Sequence, residues 1–236
     1  ANIINRSKMG ETKRIVFPEG EEPKIIRAAA QIKDAGIAEP ILMGRPDRIQ
    51  ATIDELGLNY KPNMFDHYDA ENVPEYMDVL YNLRQRKGVT QHKARSLLRQ
   101  RNYYASVMVK NGDADAMVSG VTYEYPEVIR PALQVFGTRQ GASRASGVYL
   151  MIIEGLVYLF TDATVNIDPD SETLAEIAIL ANDFAKTLGL EPQVAMLSFS
   201  NFGATPHPLS QKVADAVKIV RQKRSDILID GEMQAD

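Results

Sequence analysis

The chain has 236 residues, 44% hydrophobic and 25% charged, enough to bury one large or two modest cores behind a charged surface. Its 27 Lys and Arg against 31 Asp and Glu leave a net charge of −4 with no basic block, so a nucleic acid is not an expected partner. The absence of cysteine excludes disulfides, thiolate metal sites, iron–sulfur clusters and a thiol nucleophile, and fits a reducing compartment such as the cytoplasm.

The opening Ala1-Asn-Ile-Ile-Asn-Arg-Ser-Lys has neither an apolar core nor a small-residue cleavage site, so it is not a secretory signal. It has no initiator Met, which fits either removal of that residue or a piece of a longer polypeptide. Arg14-Ile-Val-Phe reads as a strand, and Pro23 suits the first turn of a helix whose Ile25, Ile26, Ala29 and Ile32 share a face until Gly36 stops it. Ala38 to Met43 is a second predicted strand, and Pro46 opens a second helix. Further helices are predicted at Val73 to Gln85, Gln91 to Arg99 and Tyr103 to Lys110, then a short strand at Ala116-Met-Val and a helix around Val128 to Val135. Strands joined through helices imply a largely parallel sheet.

Glycines and small polar residues interrupt the periodicity from Phe136 to Gly147, which sets the expected boundary between a first α/β domain, 1–140, and a second, 141–236. Val148 to Ile153 and Leu156 to Phe160 read as a hairpin turning at Glu154-Gly155, and Ser171 as the N-cap of a helix ending at Leu188-Gly189. Val194 to Phe199, His207 to Gln222 and Asp226 to Asp230 then read as strand, helix and strand. The apolar run from Gly147 to Phe160 falls short of the roughly 18 residues a membrane span needs, so no membrane contact is expected.

The glycines Gly137, Gly141 and Gly147 match neither a dinucleotide fingerprint nor a P-loop. His67, His92 and His207 lack metal-pair spacing, and Asp162, Asp168 and Asp170 read as a polar turn entering a helix, so no metal site is predicted. Arginines at element ends are more informative, because a planar guanidinium captures phosphate through two parallel hydrogen bonds. Arg130, shortly after the polar Ser119–Gly120 loop, is the first such candidate, and Arg84 the second. The passage Met196 to Gly203, with Ser198, Ser200 and Asn201, sits where an α/β sheet presents ligand loops; without a paired His and Asp it suits an anion cradle better than a nucleophile.

Taken together, Phe17-Pro-Glu-Gly-Glu, Leu83-Arg-x-x-Lys-Gly, Val118-Ser-Gly, Arg130-Pro-Ala-Leu-Gln, Val194-Ala-Met-Leu-Ser-Phe-Ser and Asp230-Gly-Glu-Met-Gln-Ala-Asp resemble the phosphate acetyltransferases over nearly the whole chain. The resemblance implies two α/β domains with mostly parallel sheets and an interdomain cleft, akin to isocitrate and isopropylmalate dehydrogenases, with a C-terminal part absent here. It also implies that Arg84 and Arg130 stand in a substrate cleft and that the second domain forms at least a dimer. Two features depart from the family pattern: Glu124 and Glu127 replace a hydroxyl-rich run, where their charge is expected to repel phosphate, and no counterpart of the catalytic Asp-Leu-Ser-Arg-Gly segment is present. The stretch Leu197 to Ser210, with Asn-Phe-Gly and His-Pro-Leu, is similar to the C-terminal modules of NADP-dependent malic enzymes.

That last likeness sets the leading functional expectation: a non-catalytic module binding acetyl-CoA as an effector and attached to malic enzyme catalytic domains. NADP and a divalent metal (Mg or Mn) would belong to those domains, and no cofactor to this one. Ser119, Gly120, Arg84, Arg130, Ser198, Ser200, Asn201 and Gly203 would then surround the ligand, with Arg139 and Arg144 on the CoA phosphates. The alternative expectation is a truncated phosphate acetyltransferase.

Overall fold

The computed structural model describes Asn5, Lys8 and residues 10–235, which divide into two compact units, Ala1–Gly137 and Thr138–Asp236. In the first unit four strands, β1 (Arg14–Phe17), β2 (Glu39–Met43), β3 (Asn63–Phe65) and β4 (Ala116–Met117), form a parallel sheet in the order β3-β2-β1-β4. The connections carry α1 (Pro23–Asp34), α2 (Pro46–Glu55), α3 (Val73–Arg84), α4 (Gln91–Leu98) and α5 (Arg101–Asn111), and α6 (Tyr125–Phe136) follows β4.

Strand pleat sorts the core of this unit. Val16, Ile41 and Met43 face a cluster with Tyr76, Leu80, Tyr103 and Tyr104, while Phe17 and Leu42 face Ile25, Ile26, Ile49 and Ile53 on the other side. Successive residues of one strand point to opposite faces, so a sheet covered on both sides needs the near-continuous apolar runs seen in β1 and β2. Gly20 follows β1 because a Cβ there would lie 2.7 Å from the Met43 nitrogen.

In the second unit, β5 (Val148–Ile153) and β6 (Leu156–Thr161) form an antiparallel hairpin, and β7 (Val194–Leu197) pairs in parallel with β8 (Ile229–Met233). Helices α7 (Ser171–Thr187) and α8 (Pro208–Lys223) share a core with β7 and β8 built on Ala175, Ala178, Val213, Val217 and Ile229. The mixed α/β class with mostly parallel strand pairing is as expected. Among the described residues no helix is long and apolar enough to cross a membrane.

Five helices, α1, α2, α3, α6 and α8, carry Pro at the first or second position, where a missing N–H leaves nothing unsatisfied. Four local expectations are corrected. Asp170, not Ser171, caps α7, its Oδ1 accepting from Thr173 N at 2.8 Å. The last strand lies at Ile229–Met233 rather than 226–230, because Asp226 is held by Arg224 in the turn before it. Helix α6 starts at Tyr125, three residues before the expected Val128, since Glu124 caps it. The three-residue β3 is too short to show an alternation and was not foreseen.

Candidate functional site

In an open parallel sheet, ligands gather beyond the strand ends where strand order reverses, here between β1 and β4. That place is filled by the chain's own carboxylate. Glu19, only 2% exposed, accepts hydrogen bonds from Gly120 N at 2.8 Å, Val121 N at 3.2 Å and Thr122 Oγ1 at 2.7 Å, and a further one from Thr122 N. Burial alone would push the Glu19 carboxyl up, but the donors from Gly120, Thr122 and Val121 outweigh it and hold it below its ordinary value. The backbone N–H groups of this loop therefore already serve an internal anion.

The first turn of α5 organises what surrounds that loop. Arg101 Nη2 donates to Glu21 Oε1 at 2.6 Å, tying α5 to the residues after β1. Asn102, 3% exposed, donates from Nδ2 to the Glu127 carbonyl at 3.2 Å and accepts at Oδ1 from Ser119 Oγ at 2.8 Å. The Tyr103 hydroxyl donates to Gln134 Oε1 at 2.9 Å.

Burial pushes the Tyr103 phenol up, and the positive charges of Arg130 and Arg84 oppose that rise. Arg84 is the last residue of α3; the chain then makes a short 3₁₀ turn over Gln85–Lys87 and reverses at Gly88, whose φ of 82° favours glycine. Nε of Arg84 is buried and has no hydrogen-bond partner among the described residues. Arg130 is exposed, and among the described residues neither arginine forms an ion pair. A guanidinium group without a carboxylate partner is suited to an anion.

Ser119 and Gly120 lie elsewhere. With Tyr123, Tyr125, Val128, Ile129 and Ala132 they line a separate pocket of about 340 Å³. Positions 125, 128, 129 and 132 share one face of α6 by their spacing, whereas Arg130 shares the other with Gln134. Glu124 and Glu127, expected to repel phosphate, form a reciprocal capping box: Glu124 caps α6, and Glu127 accepts from Glu124 N at 3.0 Å.

In the second unit the loop after β7 is zipped to β8. Gly203 N donates to Glu232 Oε1 at 2.5 Å, Ser200 Oγ lies 3.5 Å from the same oxygen, and Ser198 N donates to the Met233 carbonyl at 2.9 Å. Asn201 uses both ends of its amide on Gln234, at 2.9 and 2.7 Å. Arg139 and Arg144 line another pocket, of about 760 Å³, which they share with Asp170, Glu172, Glu176 and Asp183. Arg139 lies 3.7 Å from Asp183 there.

Of the other acidic and histidine residues read from the sequence, all but the exposed His92 have structural partners. Asp162 accepts from Gly147, Val165 and Asn166 nitrogens, Asp168 pairs with Lys212, and Asp170 caps α7. His67 bonds the Arg99 carbonyl at 3.0 Å and His207 caps α8. No cluster of three or more potential metal ligands occurs among the described residues.

Sequence reasoning missed Glu19, Asn102 and Tyr103. The available signal was Pro131: a proline inside a predicted helix leaves the carbonyl four residues earlier without its donor, which asks for a side chain to supply one.

Comparison with known proteins bears on this geometry. Residues 1–236 match the family model described as phosphate acetyl/butaryl transferase. The phosphate acetyltransferase of Thermoanaerobacterium thermosaccharolyticum is 38% identical over 242 residues, covering 100% of this chain and 73% of that protein. A phosphotransacetylase from Streptococcus pyogenes superposes with a TM-score of 0.91 at 35% identity, over 100% of this chain and 72% of that one. The NADP-dependent malic enzyme of Escherichia coli is 38% identical, but over 95% of this chain and 30% of its own length.

These matches overturn the expected role as a malic enzyme regulatory module: the full-length likeness in sequence and in structure is to phosphate acetyltransferases. The malic enzyme likeness also runs along nearly all of this chain, but it takes in only 30% of that enzyme's own length. The matches also lend no support to the isocitrate dehydrogenase-like comparison.

Proposed function

The chain belongs to the phosphate acetyl/butaryl transferase family, and from that premise we propose that it acts in acetyl transfer between CoA and phosphate, with Arg84 and Arg130 as the anion-binding pair. The observation that carries this reading is the buried Nε of Arg84, a charged donor without a partner among the described residues, together with an Arg130 that forms no ion pair among them. Buried donors in folded proteins are almost always satisfied, and a phosphoryl oxygen is the acceptor this one suits.

In the direction of acetyl-CoA synthesis, the CoA thiolate attacks the carbonyl carbon of acetyl phosphate. A C–S bond forms, the bond from carbon to the phosphate oxygen breaks, and inorganic phosphate leaves with the electron pair. The leaving group gains negative charge as that bond breaks, so two fixed guanidinium groups beside it bind the transition state more tightly than the ground state. Tyr103 keeps its proton, because burial pushes its phenol up, and so goes on donating to Gln134 behind the arginines.

For the other residues read from the sequence, Arg139 and Arg144 are the proposed contacts of the CoA phosphates, supported by their shared pocket; a phosphate there competes with Asp183 for Arg139. Ser119 and Gly120 in the first unit, and Ser198, Ser200, Asn201 and Gly203 in the second, are proposed ligand contacts each within its own unit, with their polar groups largely engaged in holding their own loops. A second copy of the chain is the proposed partner. Val148 to Ile153 are all exposed, as are Leu156 and Tyr158, and a two-stranded hairpin apolar on both faces is not stable uncovered.

The test is acetyl-CoA formation from acetyl phosphate and CoA by the full chain. Turnover of about 1 per second or faster is the expected result. Absence of turnover, in a preparation that is folded by circular dichroism, overturns the reading.

A further inference from the structure

Helix α6 contains Pro131, which has no N–H for the carbonyl of Glu127 four residues earlier. Helices bend at such gaps, and the angle of the bend depends on what else occupies the freed carbonyl. Asn102 occupies it, donating from Nδ2 at 3.2 Å while its Oδ1 is fixed by Ser119 Oγ at 2.8 Å. One residue on, Tyr103 holds Gln134 at 2.9 Å. Arg130 lies between these two anchors, three residues after Glu127, four before Gln134 and directly before the proline. Its backbone is thus held on both sides by consecutive residues of α5.

We infer that Asn102 is a positioning residue for Arg130: its amide replaces the helix hydrogen bond that Pro131 removes and so fixes where the guanidinium stands. The inference rests on the anion-binding reading of Arg130 given above. Asn102 touches no reacting atom; its effect passes through the helix. A group misplaced by about 1 Å can lose on the order of a hundredfold in rate, so a slightly different bend is enough to matter.

The same geometry supplies a rescue. Pro131→Ala returns an N–H to position 131, where it can donate to the Glu127 carbonyl and make the Asn102 amide unnecessary. The experiment compares wild type, Asn102→Ala, Pro131→Ala and the double variant in kcat and KM for acetyl phosphate, using the full chain. In parallel, the Arg130 Nε–H resonance, assigned by its loss in Arg130→Ala, is followed by NMR.

Asn102→Ala is expected to lose about ten- to a hundredfold in kcat/KM and to shift the Arg130 resonance. The double variant is expected to regain most of the rate and return the resonance. A double variant that recovers thermal stability without recovering kcat/KM overturns the inference, as does an Asn102→Ala enzyme within threefold of wild type. If Asn102→Ala does not fold, the double variant is compared with Pro131→Ala, and a difference above threefold overturns it. If the wild type has no transferase activity, the functional reading fails, and the resonance alone decides: moved and restored supports the inference, unmoved overturns it.

Discussion

A carboxylate that accepts three backbone N–H groups and a hydroxyl, as Glu19 does, acts as a fixed internal anion for the loop from Gly120 to Thr122. Hydrogen bonds to a charged acceptor contribute more than neutral ones, so Glu19→Gln should lower unfolding free energy by about 1.5–3 kcal/mol in urea titration. The sign of its pH dependence follows from the depressed folded value. The unfolded chain takes up the proton first as pH falls, so this stabilisation is complete above the ordinary value of 4.5 and is lost as pH drops through the folded value. Melting curves across that window should be steeper with pH for wild type than for Glu19→Gln.

Arg130 makes the opposite kind of claim at the same scale, since its proposed partner is a ligand rather than the fold. Arg130→Ala should weaken acetyl phosphate binding by about 2–5 kcal/mol where the ion pair is desolvated, much of it the penalty for leaving one charge unpaired. That is roughly a twenty-five-fold loss or more in a calorimetric titration. Arg130→Lys should restore only part, because a point charge does not reproduce the planar fork. Binding of the Ala variant within threefold of wild type would make Arg130 a solvated helix residue. Both arginines could be nominated from the sequence because guanidinium chemistry is a local cue, although the structure puts Arg130 in the middle of α6 rather than near its start. Glu19 could not be, since its partners lie about a hundred residues away and only the fold brings them together.

Among the elements, the hairpin β5–β6 carries a consequence for assembly. Its six cross-strand pairs run from Val148↔Thr161 to Ile153↔Leu156, and its turn places Glu154 and Gly155 at φ of 51° and 83°, the backbone signs of a type I′ turn. Ile152 is 70% exposed. If a second copy covers this surface, Ile152→Glu should convert a dimer to monomer in light scattering at micromolar concentration with α7 still formed; an unchanged mass would place the interface elsewhere. The hairpin, like the proline-led helices, could be read directly because both ends of each pattern are local. The slip of β8 and the unforeseen β3 share another cause. Short parallel strands are defined by neighbours distant in sequence, and their own residues do not mark where pairing begins.

For the whole molecule, the class was legible from the alternation of strand and helix, whereas the function turned on how much of a relative the likeness covers. One loop favoured a malic enzyme module; the chain spans 30% of that enzyme but 73% of a phosphate acetyltransferase. The two carboxylates that had argued against phosphate proved to be helix caps, a role invisible without knowing where α6 begins.

Strand order in the first sheet also dictates a sequence of events. Strand β1 is central, with β2 on one side and β4 on the other, yet Ile15 pairs with Ala116, 101 residues later. As the chain leaves the ribosome, β1 and β2 can pair early. The second edge of β1 stays open until nearly the whole unit has emerged, because closing so long a loop must precede any reward from the contact. An open edge on a strand as apolar as Ile15 to Phe17 is a template for the wrong partner. The late arrival of Ala116 and Met117, brought in with the loop that Glu19 latches, is therefore what closes that edge.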